Sequence, residues 1–259
     1  MTAATIAEIG RYLDALLRVD EIPDFTGALN GVQVDAESPI TRVAAAVDAR
    51  ERTIRGAAEA GANLLLVHHG LFWSGAQPLR GAFLRRIRLL LEHGIAVYSS
   101  HLPLDMHPEL GNNTLLAREL GLVPGAGFAR YKTVDIGVAG TGDVPTEELV
   151  TRATRFARNH GHEVRTAGPV AGKVTRRWGI CTGAGAGQDT LREAVASGLD
   201  TLIVGEGPHW TAIDAEEAGL TIIYAGHYAT ETLGVRALAA QVGAAFNLPW
   251  LFLDAPTGL

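Results

Sequence analysis

The chain repeats itself, and that limits its architecture more than any other feature. Arg55–Trp73 reads RGAAEAGANLLLVHHGLFW, and 137 residues later Arg192–Trp210 reads REAVASGLDTLIVGEGPHW. Gly61 falls on Gly198, His69 on Glu206, Gly70 on Gly207 and Trp73 on Trp210. Each copy predicts a helix, a glycine stop, a buried strand and a polar turn. A second pair follows. Val97–Leu120 carries a strand, His101, Asp105 four residues on, then a helical pattern; Ile223–Ala240 carries a strand, His227, Glu231 four residues on, and another helical pattern. Strands such as NLLLV and TLIV are apolar on both faces, which suits sheets covered by helices.

The expected fold is therefore α/β, built as two related α/β lobes, residues 1–124 and 125–259, tightly associated. Pro124-Gly125-Ala126-Gly127 is the best linker candidate. Predicted strands are Arg42–Val47, Asn63–Val67, Ala96–Ser99, Val134–Val138, Trp178–Cys181, Thr201–Val204 and Thr221–Tyr224. Predicted helices include the amphipathic segment around Ile6–Leu17, then Glu51–Ala60, Ala82–His93, Asn113–Leu120, Thr146–Asn159, Gln188–Ser197 and Ala229–Val242.

Composition narrows the function classes. Apolar residues make up 47% of the 259 and charged residues 19%, which excludes a disordered chain. A single cysteine, Cys181, excludes an internal disulfide and thiolate-rich zinc sites, and fits a reducing compartment. The net charge of −6 and the lack of a long basic stripe argue against nucleic acid as a partner. The short run Lys173–Arg177 reads as a solvated strand end. No apolar run is long enough to span a bilayer, and the N-terminal segment lacks the layout of a signal peptide. The expectation is a cytoplasmic protein.

The chemistry concentrates at the repeat-related turns. His68-His69, His101 with Asp105, and His227 with Glu231 supply four imidazoles and two carboxylates, all after short apolar strands. Ligands in α/β sheets bind beyond the carboxyl ends of strands. Six nitrogen and oxygen donors exceed one four-coordinate ion and suit two ions with open positions. Imidazole and carboxylate without thiolate fit Zn, Fe, Mn, Co or Ni alike.

Several blocks in order resemble a known family. HHGLFW at 68–73, HLPLD at 101–105, GNN at 111–113 and GHYATE at 226–231, with NGVQV at 30–34 and CTGAG at 181–185, are similar to the signature blocks of the Nif-three-like dinuclear-metal-centre proteins. These are the GTP cyclohydrolase 1 type 2 homologues. The likeness runs from about Ile6 to Phe246. It implies two related α/β lobes around a shared dinuclear metal cleft and a homohexamer built as a trimer of dimers. The short Gly121–Val174 stretch implies that the inserted domain of longer members is missing. Carried over residue by residue, the family's metal ligands fall on His68, His69, His101, Asp105, His227 and Glu231, which implies two divalent ions per chain.

Other residues are candidates around that centre. Glu206 is a candidate general base, and His209 a candidate proton-transfer or supporting residue. Asn30 and Gln33 lie in LNGVQV, where their amides either fix a turn or read a base edge; Asn-Gly favours a hairpin turn. Gly183, Gly185 and Gly187 form either a tight strand-to-helix turn or an anion cradle. His93 reads as a helix C-terminal residue, His107 as a loop residue, His160 and His162 as exposed, and Cys181 as a small buried apolar group. Two functions fit. One is a metal-dependent hydrolase acting on a small-molecule substrate through metal-activated water, with a nucleotide, phosphoester or amide as candidates. The other is a non-catalytic metal-binding scaffold, chaperone or regulatory partner protein.

Overall fold

The structure, a computed structural model, describes residues 4–73 and 75–259. Helix α1 (Ile6–Leu17) begins at a capping box, in which the Glu8 N–H donates to Thr5 Oγ1 at 3.2 Å and the Thr5 N–H donates to Glu8 Oε2 at 2.8 Å. There follow β1 (Gly31–Val34), β2 (Val43–Asp48), α2 (Glu51–Glu59), β3 (Leu64–His69), α3 (Gly81–Glu92), β4 (Ala96–Ser99), α4 (Leu102–Asp105) and α5 (Asn112–Glu119). The chain continues through β5 (Ala126–Tyr131), β6 (Val134–Pro145), α6 (Thr146–Arg158), β7 (Arg165–Ala167), β8 (Val174–Cys181), α7 (Gln188–Ala196), β9 (Thr201–Val204) and α8 (Trp210–Glu217). It ends with β10 (Thr221–Tyr224), α9 (His227–Thr230), α10 (Thr232–Phe246) and β11 (Trp250–Phe252).

These elements form two compact units. One comprises the chain up to Leu104 together with Gly234–Ala255; the other comprises Asp105–Leu233 with Pro256–Leu259. The division falls at Leu104/Asp105 where the sequence pattern places it at 124/125. The reason is packing: α5 buries Leu116 and Ala117 in the core of the second unit, with Trp178 and Ile180, and most of α10 returns to the first.

The first unit has a sheet of order β1-β4-β3-β2-β11, with β4, β3, β2 and β11 parallel and β1 antiparallel at the edge. One sheet face packs Ala44, Ala46, Leu65, Val67 and Val97 against Ile54 and Ala57 of α2 and Phe83, Leu89 and Leu90 of α3. The residues between them, Val43, Ala45, Leu64 and Leu66, are equally buried. Burial on both faces is why these strands read as continuous apolar runs.

The second unit has a sheet of order β5-β6-β8-β9-β10-β7. Its centre, β8-β9-β10, is parallel, and β7 pairs antiparallel with β10. Period-two alternation sends Trp178, Ile180, Ile203 and Ile223 to one core, shared with α5 and α6. Cys181, Leu202, Val204 and Ile222 go to the other, shared with α7 and α8. The repeat is thus structural: β2-β3-β4 flanked by β1 corresponds to β8-β9-β10 flanked by β7. Gly61 and Gly198, the glycine stops before β3 and β9, both adopt left-handed backbone, with φ of 67° and 65°.

Candidate metal centre

In the first unit, β3 ends in His68 and His69, and His101 follows neighbouring β4. Parallel pairing in register brings the three imidazoles together. Ring centroids lie 4.8 Å apart for His68–His69 and for His68–His101, and 5.7 Å apart for His69–His101. One ligand atom from each lies within 4.8 Å of the others.

Each imidazole is fixed through Nδ1. His68 Nδ1 is 2.9 Å from the Ser100 carbonyl oxygen, His69 Nδ1 is 2.9 Å from Asp48 Oδ1, and His101 Nδ1 is 2.8 Å from Asp24 Oδ1. A carbonyl oxygen or carboxylate accepts, so Nδ1 carries the proton in all three, and Nε2 is left as the lone-pair donor. That is the tautomer a metal-ligating histidine requires.

Asp24 is the most heavily engaged of these supports. Its side chain is 6% exposed. Besides His101, it accepts from the Phe25 N–H at 2.7 Å, the Leu102 N–H at 2.9 Å and Asn30 Nδ2 at 2.9 Å. Asn30 Oδ1 in turn accepts the His101 N–H at 2.8 Å. Burial alone would raise the Asp24 pKa, but His101, Asn30 and Phe25 outweigh it and hold the carboxyl below its ordinary range. Trp73 walls the cluster, its ring 4.7 Å from His101 and 5.5 Å from His69.

In the second unit, His227 opens α9 and Glu231 follows that short helix. His227 Nε2 is 3.2 Å from Glu231 Oε2, and its Nδ1 is 2.7 Å from Glu206 Oε1. Burial would lower the His227 pKa, but the Glu231 and Glu206 carboxylates overcome it and push it up to about 9. Glu231 is 2% exposed. Asp105, also buried, accepts from Asn112 Nδ2 at 2.8 Å. Asn113 Nδ2 donates to the carbonyls of Asp105 at 3.2 Å and Ile136 at 2.8 Å, while its Oδ1 accepts the Thr182 N–H at 2.9 Å. The GNN block is therefore the clamp that holds Asp105 against the end of β8.

Residues 4–257 match the model of the family described as Duf34/NIF3 (NGG1p interacting factor 3). The chain belongs to the Duf34/NIF3 family. It is 43% identical to a GTP cyclohydrolase 1 type 2 homolog of Deinococcus radiodurans, over 97% of this chain and 94% of that protein. A relative of the same name from Pyrococcus abyssi is 37% identical over 97% of this chain and 98% of its own. Among solved structures, TTHA1606 from Thermus thermophilus is 38% identical, covering 98% of this chain and 99% of that one, with a TM-score of 0.82. Protein ybgI, of unknown function, is 32% identical, covering 98% of this chain and 100% of that one, with a TM-score of 0.88.

Within this NIF3 chain the remaining candidates have definite places. Glu206 Oε1 accepts a hydrogen bond from His227 Nδ1 and so fixes that ring. His209 is the exposed residue preceding α8. Asn30 and Gln33 serve the backbone and the site rather than open space: Gln33 Nε2 donates to the Leu29 carbonyl at 2.6 Å, and its Oε1 accepts the Leu71 N–H at 2.7 Å. The Asn-Gly pair makes no hairpin, because β1 pairs with β4 instead.

The glycine-rich turn is a packing device. The Gly183 N–H donates to Thr230 Oγ1 at 3.1 Å, and a Cβ on Gly185 would sit 1.9 Å from the Cys181 carbonyl oxygen. Burial, then the Asp105 and Glu231 charges, push the Cys181 thiol up to about 12, so it is inert. His107 Nδ1 accepts the Leu110 N–H at 3.0 Å, as a loop residue does, and His93 caps α3. Lys173 is no phosphate grip: its Nζ donates to the Asp200 carbonyl at 2.5 Å and to Thr221 Oγ1 at 2.8 Å. Among the described residues no helix is long and apolar enough to cross a membrane.

The residues that the sequence pattern did not flag are Asp24, Asp48 and Ser100. Asp24 and Asp48 are lone aspartates with no spacing signal, and the Ser100 contact is through backbone. Only the fold places them against His101, His69 and His68.

Proposed function

We propose that His68, His69, His101, Asp105, His227 and Glu231 together hold two divalent ions and that the protein is a metal-dependent hydrolase. The observation that carries this reading is the treatment of the four imidazoles. Nδ1 of every one is engaged by a carbonyl or carboxylate at 2.7–2.9 Å. Histidines used only for packing need no such uniform orientation, whereas ligands do. Two ions bound there would polarise a substrate oxygen and supply hydroxide at neutral pH.

The chain's own residues do the rest. Asp24, Asp48 and Glu206 orient the imidazoles of His101, His69 and His227. Asn112 and Asn113 set the Asp105 carboxylate. His209, exposed and close in sequence to Glu206, exchanges protons between substrate and solvent. The names of the curated relatives make opening of the guanine ring of GTP the first reaction to screen, followed by phosphoesters and cyclic amides. Family likeness supports assembly as a homohexamer.

Elemental analysis of untagged protein tests the reading, with His68→Ala and Glu231→Ala prepared alongside. About two ions per chain in the wild type and fewer in both variants is the expected result. Failure to take up Zn, Mn or Fe after chelation would end it. Metal uptake without turnover of any substrate class would reduce the protein to a metal-binding scaffold.

A further inference from the structure

The second unit contains a cavity of about 400 Å³, lined by Arg165, Glu206, Pro208, His209, Ala212 and Tyr224 among others. That volume is in the range of small-molecule sites. It lies past the carboxyl ends of β9 and β10, the edge where α/β sheets take ligands. It adjoins Glu206, which engages the Nδ1 side of His227, the side away from Nε2 and Glu231.

The strand register sets the spacing of its polar groups. Arg165 pairs with Tyr224 and Tyr224 with Val204, so Arg165 stands two strands from the end of β9, or about 10 Å at the backbone. Tyr224 lies between. Its hydroxyl is spent on Thr211 Oγ1 at 2.8 Å, so it offers the cavity a ring. At one end, Glu206 uses Oε1 for His227 and has no donor to Oε2 among the described residues. At the other, the Arg165 guanidinium makes, among the described residues, one long contact, 3.4 Å, to the neighbouring Val164 carbonyl, and no ion pair. His209 makes no side-chain hydrogen bond among the described residues.

The first unit shows what the second lacks. Behind His101, both oxygens of Asp24 are filled by the chain itself, and the Phe25 ring packs 5.7 Å from the imidazole. Behind His227, the corresponding carboxylate keeps one oxygen for something else and faces open volume.

We propose that this cavity binds a small amphoteric aromatic acid, with an amine or ring N–H donated to Glu206, the ring against Tyr224 and Pro208, and a carboxylate on Arg165 and His209. The proposal needs only the second unit and does not rest on bound metal.

Calorimetric titration of the chelated full chain with 4-aminobenzoate and with indole-5-carboxylate tests it. Saturable binding of one molecule per chain is expected for at least one probe. Aniline and benzoate, each missing one end, should bind at least about tenfold more weakly. Arg165→Ala, and Ala212→Trp to fill the cavity, should each weaken the probe by at least about tenfold while leaving metal uptake as in the wild type. The proposal is overturned if neither probe shows saturable binding, or if both variants bind like the wild type. Because the titration is done without metal, failure of the dinuclear reading would leave its result unchanged.

Discussion

Gly183 and Glu231 are fitted to each other with no space to spare. A Cβ on residue 183 would stand 2.2 Å from Glu231 Oε1 and 3.3 Å from His227 Nε2. Glu231 is 2% exposed, so its carboxylate cannot yield into solvent. Gly183 also sits at φ +62°, where a side chain costs about 1–2 kcal/mol on conformation alone. Gly183→Ala should therefore destabilise the chain and also displace a proposed ligand. Gly61→Ala is the control, since Gly61 has φ +67° and no atom within 4 Å of its missing Cβ. Urea unfolding should show a loss of at least about 1 kcal/mol in both. Metal content should fall in Gly183→Ala only. Equal metal content in the two would mean Glu231 is not held for a ligand role.

Asp24 supplies the second expectation. Asp24→Asn keeps one carbonyl oxygen for His101 Nδ1. Its amide N–H₂ must then face donors, because the Leu102 N–H and Asn30 Nδ2 point at the other oxygen. His101 loses its orientation and its charged hydrogen-bond partner. Supporting residues of this kind typically change metal affinity by about 10–100-fold. Competition against a chromophoric chelator measures that directly. Unchanged affinity would reduce Asp24 to a structural cap.

How much of this was legible in the chain follows from where each signal resides. Ala96–Ser99, Thr201–Val204 and Thr221–Tyr224 were delimited to the residue, because an apolar run buried on both faces ends where polar residues begin. The edge strands β1, β7 and β11 are three or four residues long, and their pairing comes from a neighbour distant in sequence. Strand β6 runs on to Pro145, well past Val138, because β8 pairs with it through a bulge between Thr141 and Val144. The histidines stood out because the repeat placed them after equivalent strands. Asp24 is 77 residues from His101, so no local pattern could connect them.

His227 makes the stability of the metal-free protein depend on pH. Its pKa is raised from 6.5 to about 9. A raised histidine contributes stability that is fully present below pH 6.5 and is lost as pH climbs through about 9. The full effect is of order 3 kcal/mol. Chelated protein should thus be more stable to urea at pH 6 than at pH 10, and His227→Gln should reduce that difference. Metal reverses the sign at this residue, because an ion must displace the proton between His227 Nε2 and Glu231. Metal affinity should increase with pH up to about 9. A pH-independent difference between His227→Gln and wild type would show that Glu206 and Glu231 do not hold the imidazole charged.

The Asn113 side chain is a stricter test of how the second unit positions Asp105. It is 1% exposed and uses both ends, Nδ2 to two carbonyls and Oδ1 to the Thr182 N–H. Asn113→Asp preserves shape and retains the acceptor. It also replaces the donor with a carboxylate oxygen facing the Asp105 and Ile136 carbonyls. A buried polar group turned against its partners costs about 1–3 kcal/mol, and more when charged. Asn113→Ala removes the conflict but leaves the Thr182 N–H without its acceptor. Urea unfolding should therefore rank wild type above Asn113→Ala and Asn113→Asp lowest at pH 7, with the gap between the variants narrowing at pH 4 as the carboxyl takes a proton. If Asn113→Asp matched the wild type at pH 7, a cation would have to be compensating it. Chelation would then expose the loss.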